Sequence, residues 1–228
     1  MSGMMKLFRA LSMALLMMGS VLADWTSPHD LQLEETAPAA LIPFPREVKW
    51  KDAELELPAA DNWKLTGKAA KDDSVRLAWK GLLSEVKGKG KGKLTVRLRS
   101  AGDKLNEEQK AEGYVLQVNA KGISIGAETR AGFFYGLQTL RQLVHKKKSI
   151  PHCFIVDWPA SKYRGYMQDC GRNFRKVERL KKELDLAARL KVNLFHWHLT
   201  DYPAWHIQCK AYPQLNSPKH RTRDLNDT

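Results

Sequence analysis

The chain has 228 residues, 43% of them hydrophobic, and a formal charge of +13. That hydrophobic fraction argues against a disordered chain, and the length allows one large domain or two modest ones. No nucleic-acid motif accompanies the positive charge, so it reads as a lysine-rich solvated surface.

Residues 1–23 begin with Lys6 and Arg9, continue through the apolar run 10–18 and end in Gly19-Ser20-Val21-Leu22-Ala23. Basic, apolar, small is the order of a secretory signal peptide, cut after Ala23, which makes the chain secreted or periplasmic. The apolar run is shorter than the roughly 20 residues of a membrane span, and no other stretch qualifies. Residues 24–40, with Pro28 and Pro38, read as a flexible lead-in.

The folded part begins at Leu41-Ile42-Pro43-Phe44-Pro45, whose prolines confine it to an extended approach or a sheet edge. Glu54-Leu55-Glu56-Leu57 alternates like a short strand. Val75, Ala78, Trp79, Leu82, Leu83 and Val86 fall on one face of a helix over 74–86. The run Lys87-Gly88-Lys89-Gly90-Lys91-Gly92-Lys93 lacks the order of a phosphate-binding P-loop and reads as a flexible, solvated turn. Strands are expected at 94–98, 114–118 and 123–125, the last two joined by the turn Asn119-Ala120-Lys121-Gly122. A helix over 131–143 then packs Phe133, Leu137, Leu140 and Val144 on the sheet. Strands with a covering helix make a small α+β domain over residues 41–150.

The lysine run 146–148 and Pro151 separate this half from the next, which Phe154-Ile155-Val156-Asp157-Trp158-Pro159 enters. A strand at 163–169 is followed by a helix near 176–190, with Val177, Leu180, Leu184, Ala187 and Leu190 inward. Lys181, Lys182, Glu183 and Arg189 face outward. Val192-Asn193-Leu194-Phe195-His196-Trp197-His198-Leu199 reads as a buried parallel strand ending at Thr200-Asp201. Strand, helix and strand form a βαβ unit with charged residues on one rim, the edge where α/β folds place chemistry. Cys153, Cys170 and Cys209 are widely spaced, without CxxC; they read as small buried residues, and an odd number leaves at least one thiol without an intrachain partner.

Several stretches together resemble family 20 glycoside hydrolases, the β-N-acetylhexosaminidases. Leu41-Ile42-Pro43 and the region from Gly113-Tyr114 to Gly136-Leu137-Gln138-Thr139-Leu140 resemble that family's N-terminal α+β domain. Tyr163-Arg164-Gly165, Asp169, Arg172 and Phe174 resemble its first barrel strand and loop, and residues 193–201 its second strand. The resemblance implies an α/β chain: a small α+β domain followed, over 158–228, by the start of a (β/α)8 barrel, truncated after two strands. It also implies cleavage of terminal β-linked N-acetylglucosamine or N-acetylgalactosamine, from N-acetylhexosamine-containing glycans or chitooligosaccharides. In such enzymes the substrate's own acetamido oxygen attacks the anomeric carbon, an Asp orients it, and a neighbouring Glu protonates the leaving oxygen.

On this resemblance Arg172 grips the hydroxyls of the terminal sugar and Asp201 supports the same pocket, with Asp169 and His198 in supporting positions. Each has a plainer reading: Arg172 as a surface arginine after a strand, Asp201 as the cap of the following turn. His196 and His198, two apart, share a face; a zinc site needs further ligands, and hydrogen-bonded histidines are the simpler account. Trp197 is expected on the helix side. Trp158 and Trp205 suit either a sugar face or packing. The sequence departs from the family where Asn173 replaces a usual His and Tyr202 a second carboxylate. The catalytic Asp-Glu pair occurs nowhere in these residues, so the catalytic residues themselves are expected outside them, and the chain reads as an N-terminal fragment. The alternatives are a carbohydrate-binding remnant without hydrolysis and a basic surface binder of acidic polymers. No cofactor, metal or nucleic-acid partner is expected, and the oligomeric state stays open.

Overall fold

A computed structural model describes residues 37–202 and 204–217; the expected signal peptide lies outside the described residues. Strand β1 (Glu47–Glu56) leads, with a register shift between Lys51 and Glu54 where it pairs with a later strand. The short strand read at 54–57 is therefore the end of a longer one. Next come β2 (Trp63–Thr66), helix α1 (Asp73–Leu83), β3 (Leu94–Arg99), β4 (Tyr114–Asn119) and β5 (Gly122–Gly126). Helix α2 (Arg130–Val144) and β6 (Ser149–Asp157) complete the first part.

These six strands form one mixed sheet in the order β1-β6-β4-β5-β3-β2. The pairs β1–β6, β6–β4 and β4–β5 are antiparallel, while β5–β3 and β3–β2 are parallel. Strand β2 has too short a pattern to stand out in the sequence; its parallel register with β3 makes it a strand. The sequence marks the stretch through Pro151 as a separator and 154–159 as the way into the second half, yet β6 runs through both and lies between β1 and β4 inside the sheet. Ile150, Cys153 and Ile155 are fully buried there, so three apolar side chains of this stretch belong to the first core. Lysines 146–148 mark a helix-to-strand turn instead.

Helix α1 starts where the Asp72 side chain accepts the N–H groups of Ser74 and Val75, leaving fewer of the first-turn donors unsatisfied. The same hydrogen bonds, led by that from the Ser74 hydroxyl, hold the Asp72 carboxyl below its usual range. Val75, Ala78 and Leu82 of α1 and Leu137, Leu140 and Val144 of α2 meet Val96, Leu116, Ile123 and Ile125 of the sheet in one buried cluster. On the other face a smaller cluster joins Val115 and Val156 to Ala101 and Leu105, with Trp158 against it. Alternation along β4 and β6 sends successive side chains to these two cores.

Beyond the sheet, β7 (Gly165–Asp169) and β8 (Leu194–His198) form a separate parallel pair, linked by helix α3 (Val177–Arg189). The expected βαβ unit is present in its expected order. Short strands β9 (Thr200–Asp201) and β10 (Ala204–Trp205) follow, antiparallel to each other. Of the apolar face read on α3, Leu180 is buried, but Val177, Leu184 and Leu190 are exposed, because two strands offer less surface than the helix has. Among the described residues no helix is long and apolar enough to cross a membrane.

Polar contacts fix this unit against the sheet. The Arg141 guanidinium on α2 binds both oxygens of Asp185 on α3, at 2.9 and 3.0 Å. It also reaches Glu85, which Arg189 and His145 share. Arg189, expected to face solvent, is thus drawn to Glu85. Burial works to raise the Glu85 carboxyl, but the His145 hydrogen bond and the Arg189 and Arg141 charges outweigh it and leave it below its usual range. Asp185 is likewise lowered, first by its hydrogen bond from Arg141.

Candidate functional site

Strands β7 and β8 lie in a register that sets Asp169 opposite His198. The backbone N–H groups of Cys170 and Gly171 both donate to the carbonyl of His198, at 2.8 and 3.0 Å. The chain leaving β7 is thereby folded across the end of β8. The approach at Gly171 is tight: a Cβ there would sit 3.0 Å from the Asp201 nitrogen, so a larger residue would push the neighbouring backbone by a few tenths of an ångström. Arg172 emerges next, alongside Asp201.

The four residues singled out by sequence meet here. Arg172 Nε lies 2.8 Å from Asp169 Oδ2, and its Nη2 lies 3.2 Å from Asp201 Oδ2. The Arg172 backbone N–H donates to Asp169 Oδ1 at 3.1 Å. This hydrogen bond, with the guanidinium charge, holds the Asp169 carboxyl below its usual range. The His198 ring sits between the carboxylates, Nδ1 3.5 Å from Asp169 and Nε2 3.8 Å from Asp201. The other Asp201 oxygen accepts the Tyr202 N–H at 2.7 Å, so this aspartate caps its turn and pairs with Arg172 at once.

Chemically, the cluster is an arginine aimed by two carboxylates. Its guanidinium has five N–H donors in a fixed plane and no acceptor, and anchoring two edges sets that plane. The Arg172 side chain is 59% exposed, so the cluster opens to solvent. A fixed, exposed fork of donors suits adjacent hydroxyl groups on a ligand. The ring of His196 lies 6.0 Å from that of His198, on the shared face that their spacing predicts. Among the described residues no three His, Cys, Asp or Glu side chains are grouped to hold a metal ion.

The tryptophans divide. Trp158 packs against the smaller sheet core with Arg46 over its ring, which makes it a packing residue. Trp205 pairs through β10 with Thr200, beside Asp201, and its indole N–H donates to the Ile207 carbonyl at 2.6 Å. Trp197 shares a face with Phe195, and Phe195 stacks on Tyr166, whose hydroxyl reaches Glu183 of α3. This is the helix side, as expected, with Trp197 itself half exposed.

Two groups hold the strands in place, and one of them, Lys191, escapes sequence reading. Arg164, just before β7, donates to the carbonyls of Lys191 and Ser161 at 2.7 and 2.6 Å, to the Tyr135 hydroxyl at 3.0 Å and to Glu112. Lys191, in the turn into β8, is 6% exposed. Its ammonium lies 2.7 Å from Asp157 Oδ2 and 2.9 Å from the Tyr114 hydroxyl. Burial lowers the lysine against the Asp157 charge, and burial raises Tyr114 well above its usual range. The signal is local. After α3, Lys191 N–H bonds to Ala188 and Val192 N–H to Ala187, a C-terminal motif whose left-handed residue is usually glycine. Lys191 adopts φ 60° there. A lysine in a glycine position costs strain of order 1 kcal/mol or more, so its side chain must offset it elsewhere.

Residues 39–158 match glycosyl hydrolase family 20, domain 2, and residues 161–227 match the glycosyl hydrolase family 20 catalytic domain. The chain belongs to glycosyl hydrolase family 20. It is 33% identical to a beta-hexosaminidase of Vibrio furnissii over 190 residues, 82% of this chain and 30% of that protein. It is 43% identical to a beta-hexosaminidase of Porphyromonas gingivalis over 116 residues, 46% of this chain and 15% of that protein. The structure of an exo-β-N-acetylglucosaminidase from Vibrio harveyi in complex with N-acetylglucosamine superposes with TM-score 0.63 at 28% identity, covering 79% of this chain and 29% of that one. A β-N-acetylhexosaminidase from Bacteroides fragilis gives TM-score 0.62 at 30% identity, covering 77% and 36%. The chain thus spans about a third or less of the length of these relatives.

Proposed function

We propose that this chain supplies the N-terminal α+β domain and the first two strands of a (β/α)8 barrel to a β-N-acetylhexosaminidase. The reading makes Arg172 the group that holds the hydroxyls of a terminal N-acetylglucosamine or N-acetylgalactosamine. Asp169, Asp201 and His198 hold Arg172 in place. The observation that carries it is the pair of carboxylates, 2.8 and 3.2 Å from one exposed guanidinium, Asp169 at the C-terminal end of β7 and Asp201 three residues beyond the end of the adjacent parallel β8. The reaction follows the family's substrate-assisted, retaining route, in which the acetamido group is the nucleophile. The acetamido-orienting Asp and the acidic Glu belong to residues outside these 228, so this polypeptide alone binds without hydrolysing. Export to the periplasm or the medium, from the 1–23 pattern, completes the reading.

The test uses the purified chain and its relative-length counterpart, made by joining residues 161–227 in register to the remaining barrel of the Vibrio furnissii relative. The joined enzyme should release 4-nitrophenol from the N-acetyl-β-glucosaminide, and Arg172→Ala should cost it about 2–3 kcal/mol in kcat/KM. The chain alone should show background turnover. Unchanged kcat/KM in the Arg172→Ala enzyme would remove Arg172 from the site, and turnover by the chain alone would overturn the assignment of the acid to other residues.

A further inference from the structure

The Lys-Gly run at 87–93 is held, not loose. Gly90 N–H donates to the Leu57 carbonyl at 3.3 Å, and Ala59 N–H donates to the Gly90 carbonyl at 3.1 Å, a parallel bridge that joins Gly90 to Pro58. A Cβ at Gly88 would lie 2.1 Å from the Leu57 oxygen, so only glycine fits this approach. The glycines let the segment lie against the chain after β1, and the intervening lysines are what it displays. Beside it is a cavity of about 380 Å³. Its wall carries Lys91, Lys93, Arg97 and Lys121, against one carboxylate, Glu56. All four cations are exposed, and among the described residues none has an ion-pair partner. Arg97 is there because β3 alternates, sending Leu94, Val96 and Leu98 into the core and Thr95 and Arg97 to the open face of the sheet.

Four cations without ion-pair partners surround a concave space, Lys91 and Lys93 on the anchored segment, Arg97 on β3 and Lys121 in the turn between β4 and β5, and such a cluster attracts anions. We propose that this face of the α+β domain binds an anionic polysaccharide, one sulfate ester or carboxylate entering the cavity and its neighbours lying along the lysines. The size falls at the lower end of the range of small-molecule sites. No aromatic side chain lines the cavity, which disfavours single-stranded nucleic acid, whose bases stack on aromatic rings. No exposed apolar anchor lines it either, as docking on a lipid surface requires. In a glycosidase-family chain, the remaining polymer is a charged glycan. None of its lining residues belongs to the Arg172 cluster, and its occupancy does not depend on hydrolysis.

The experiment measures binding of the full chain to dextran sulfate, with neutral dextran, an oligothymidylate and phosphatidylglycerol vesicles as the other probes. Variant one carries Lys91→Ala, Lys93→Ala, Arg97→Ala and Lys121→Ala. Variant two removes the same charge elsewhere, through Lys147→Ala, Lys181→Ala, Lys182→Ala and Lys210→Ala, and circular dichroism checks both folds. Variant one should weaken dextran sulfate binding on the order of tenfold or more and flatten its salt dependence by about three contacts, while variant two shifts it about twofold. Neutral dextran should not bind. Equal losses in the two variants would show diffuse charge attraction and overturn the site. Tighter binding of the oligothymidylate or the vesicles, lost with the same four substitutions, would overturn the glycan assignment.

Discussion

The sheet with α1 and α2 and the β7–α3–β8 unit are built from similar elements but are held differently. In the first, Leu116, Ile125, Leu137, Leu140 and Ile155 are each 0% exposed, and apolar contact does the work. In the second, Leu180 and Cys170 are buried while Met167, Leu194 and Trp197 lie open. What places the second is a set of ion pairs with the first: Lys191 to Asp157, Arg164 to Glu112, and Asp185 to Arg141. Apolar burial is tolerant of small displacements, whereas these contacts require particular partners at fixed distances. The rim that carries Arg172 therefore inherits its position from ion pairs with the sheet domain.

The largest effect should come from cutting one of those pairs. Asp157→Ala leaves the Lys191 ammonium buried without its counter-charge, and loss of about 3–5 kcal/mol is expected in urea denaturation. Replacing both partners with apolar residues, Asp157→Leu with Lys191→Met, should restore much of it. A shift below about 1 kcal/mol for Asp157→Ala would mean that the two regions dock through apolar contact after all.

A matched pair of core truncations measures the contrast directly. Leu137→Ala in α2 should cost about 2–5 kcal/mol, since it opens a cavity among fully buried neighbours. Leu184→Ala in α3, already 38% exposed, should cost under about 1 kcal/mol. Equal costs would erase the distinction between the two regions.

Acid should loosen the contact between α2 and α3 next. Glu85 and Asp185 have ordinary values of 4.5 and 3.8 and are both held lower in the fold. The unfolded chain therefore binds their protons first. The stability they contribute is complete above those ordinary values and is lost as pH falls through the depressed ones. Urea midpoints should drop from about pH 5 toward pH 3, and Glu85→Gln should flatten part of that fall. An unchanged slope in Glu85→Gln would place the acid sensitivity elsewhere.

The smallest effect on stability belongs to the candidate site itself. Arg172 is exposed and bound only to its rim, so Arg172→Ala should change the unfolding free energy by under about 0.5 kcal/mol. A large loss would make it a structural residue and weaken its assignment to sugar binding.

The sequence alone carried the elements that depend on local pattern. Alternation marks β3, β4 and β5, helical spacing marks α1, α2 and α3, and the family resemblance, not periodicity, marks Asp169, Arg172, His198 and Asp201. Pattern works there because each side chain's direction follows from the period of its own strand or helix. Where a residue's role is set by something far along the chain, pattern has no reach. Strand β6 looked like the start of the second half because its place between β1 and β4 is fixed by pairing across some 100 residues. Arg189 read as a solvent residue by its helical position, and Glu85, 104 residues earlier, decided otherwise. Lys191 reads as one more basic residue in a basic chain, and its burial follows only when Asp157 and Tyr114 are brought beneath it. The Lys-Gly run has the composition of a loose turn, and hydrogen bonds to Leu57 and Ala59 tie it down. Charge and hydrogen-bond partners are chosen by proximity in space, and that proximity exists only after the apolar pattern has folded the chain.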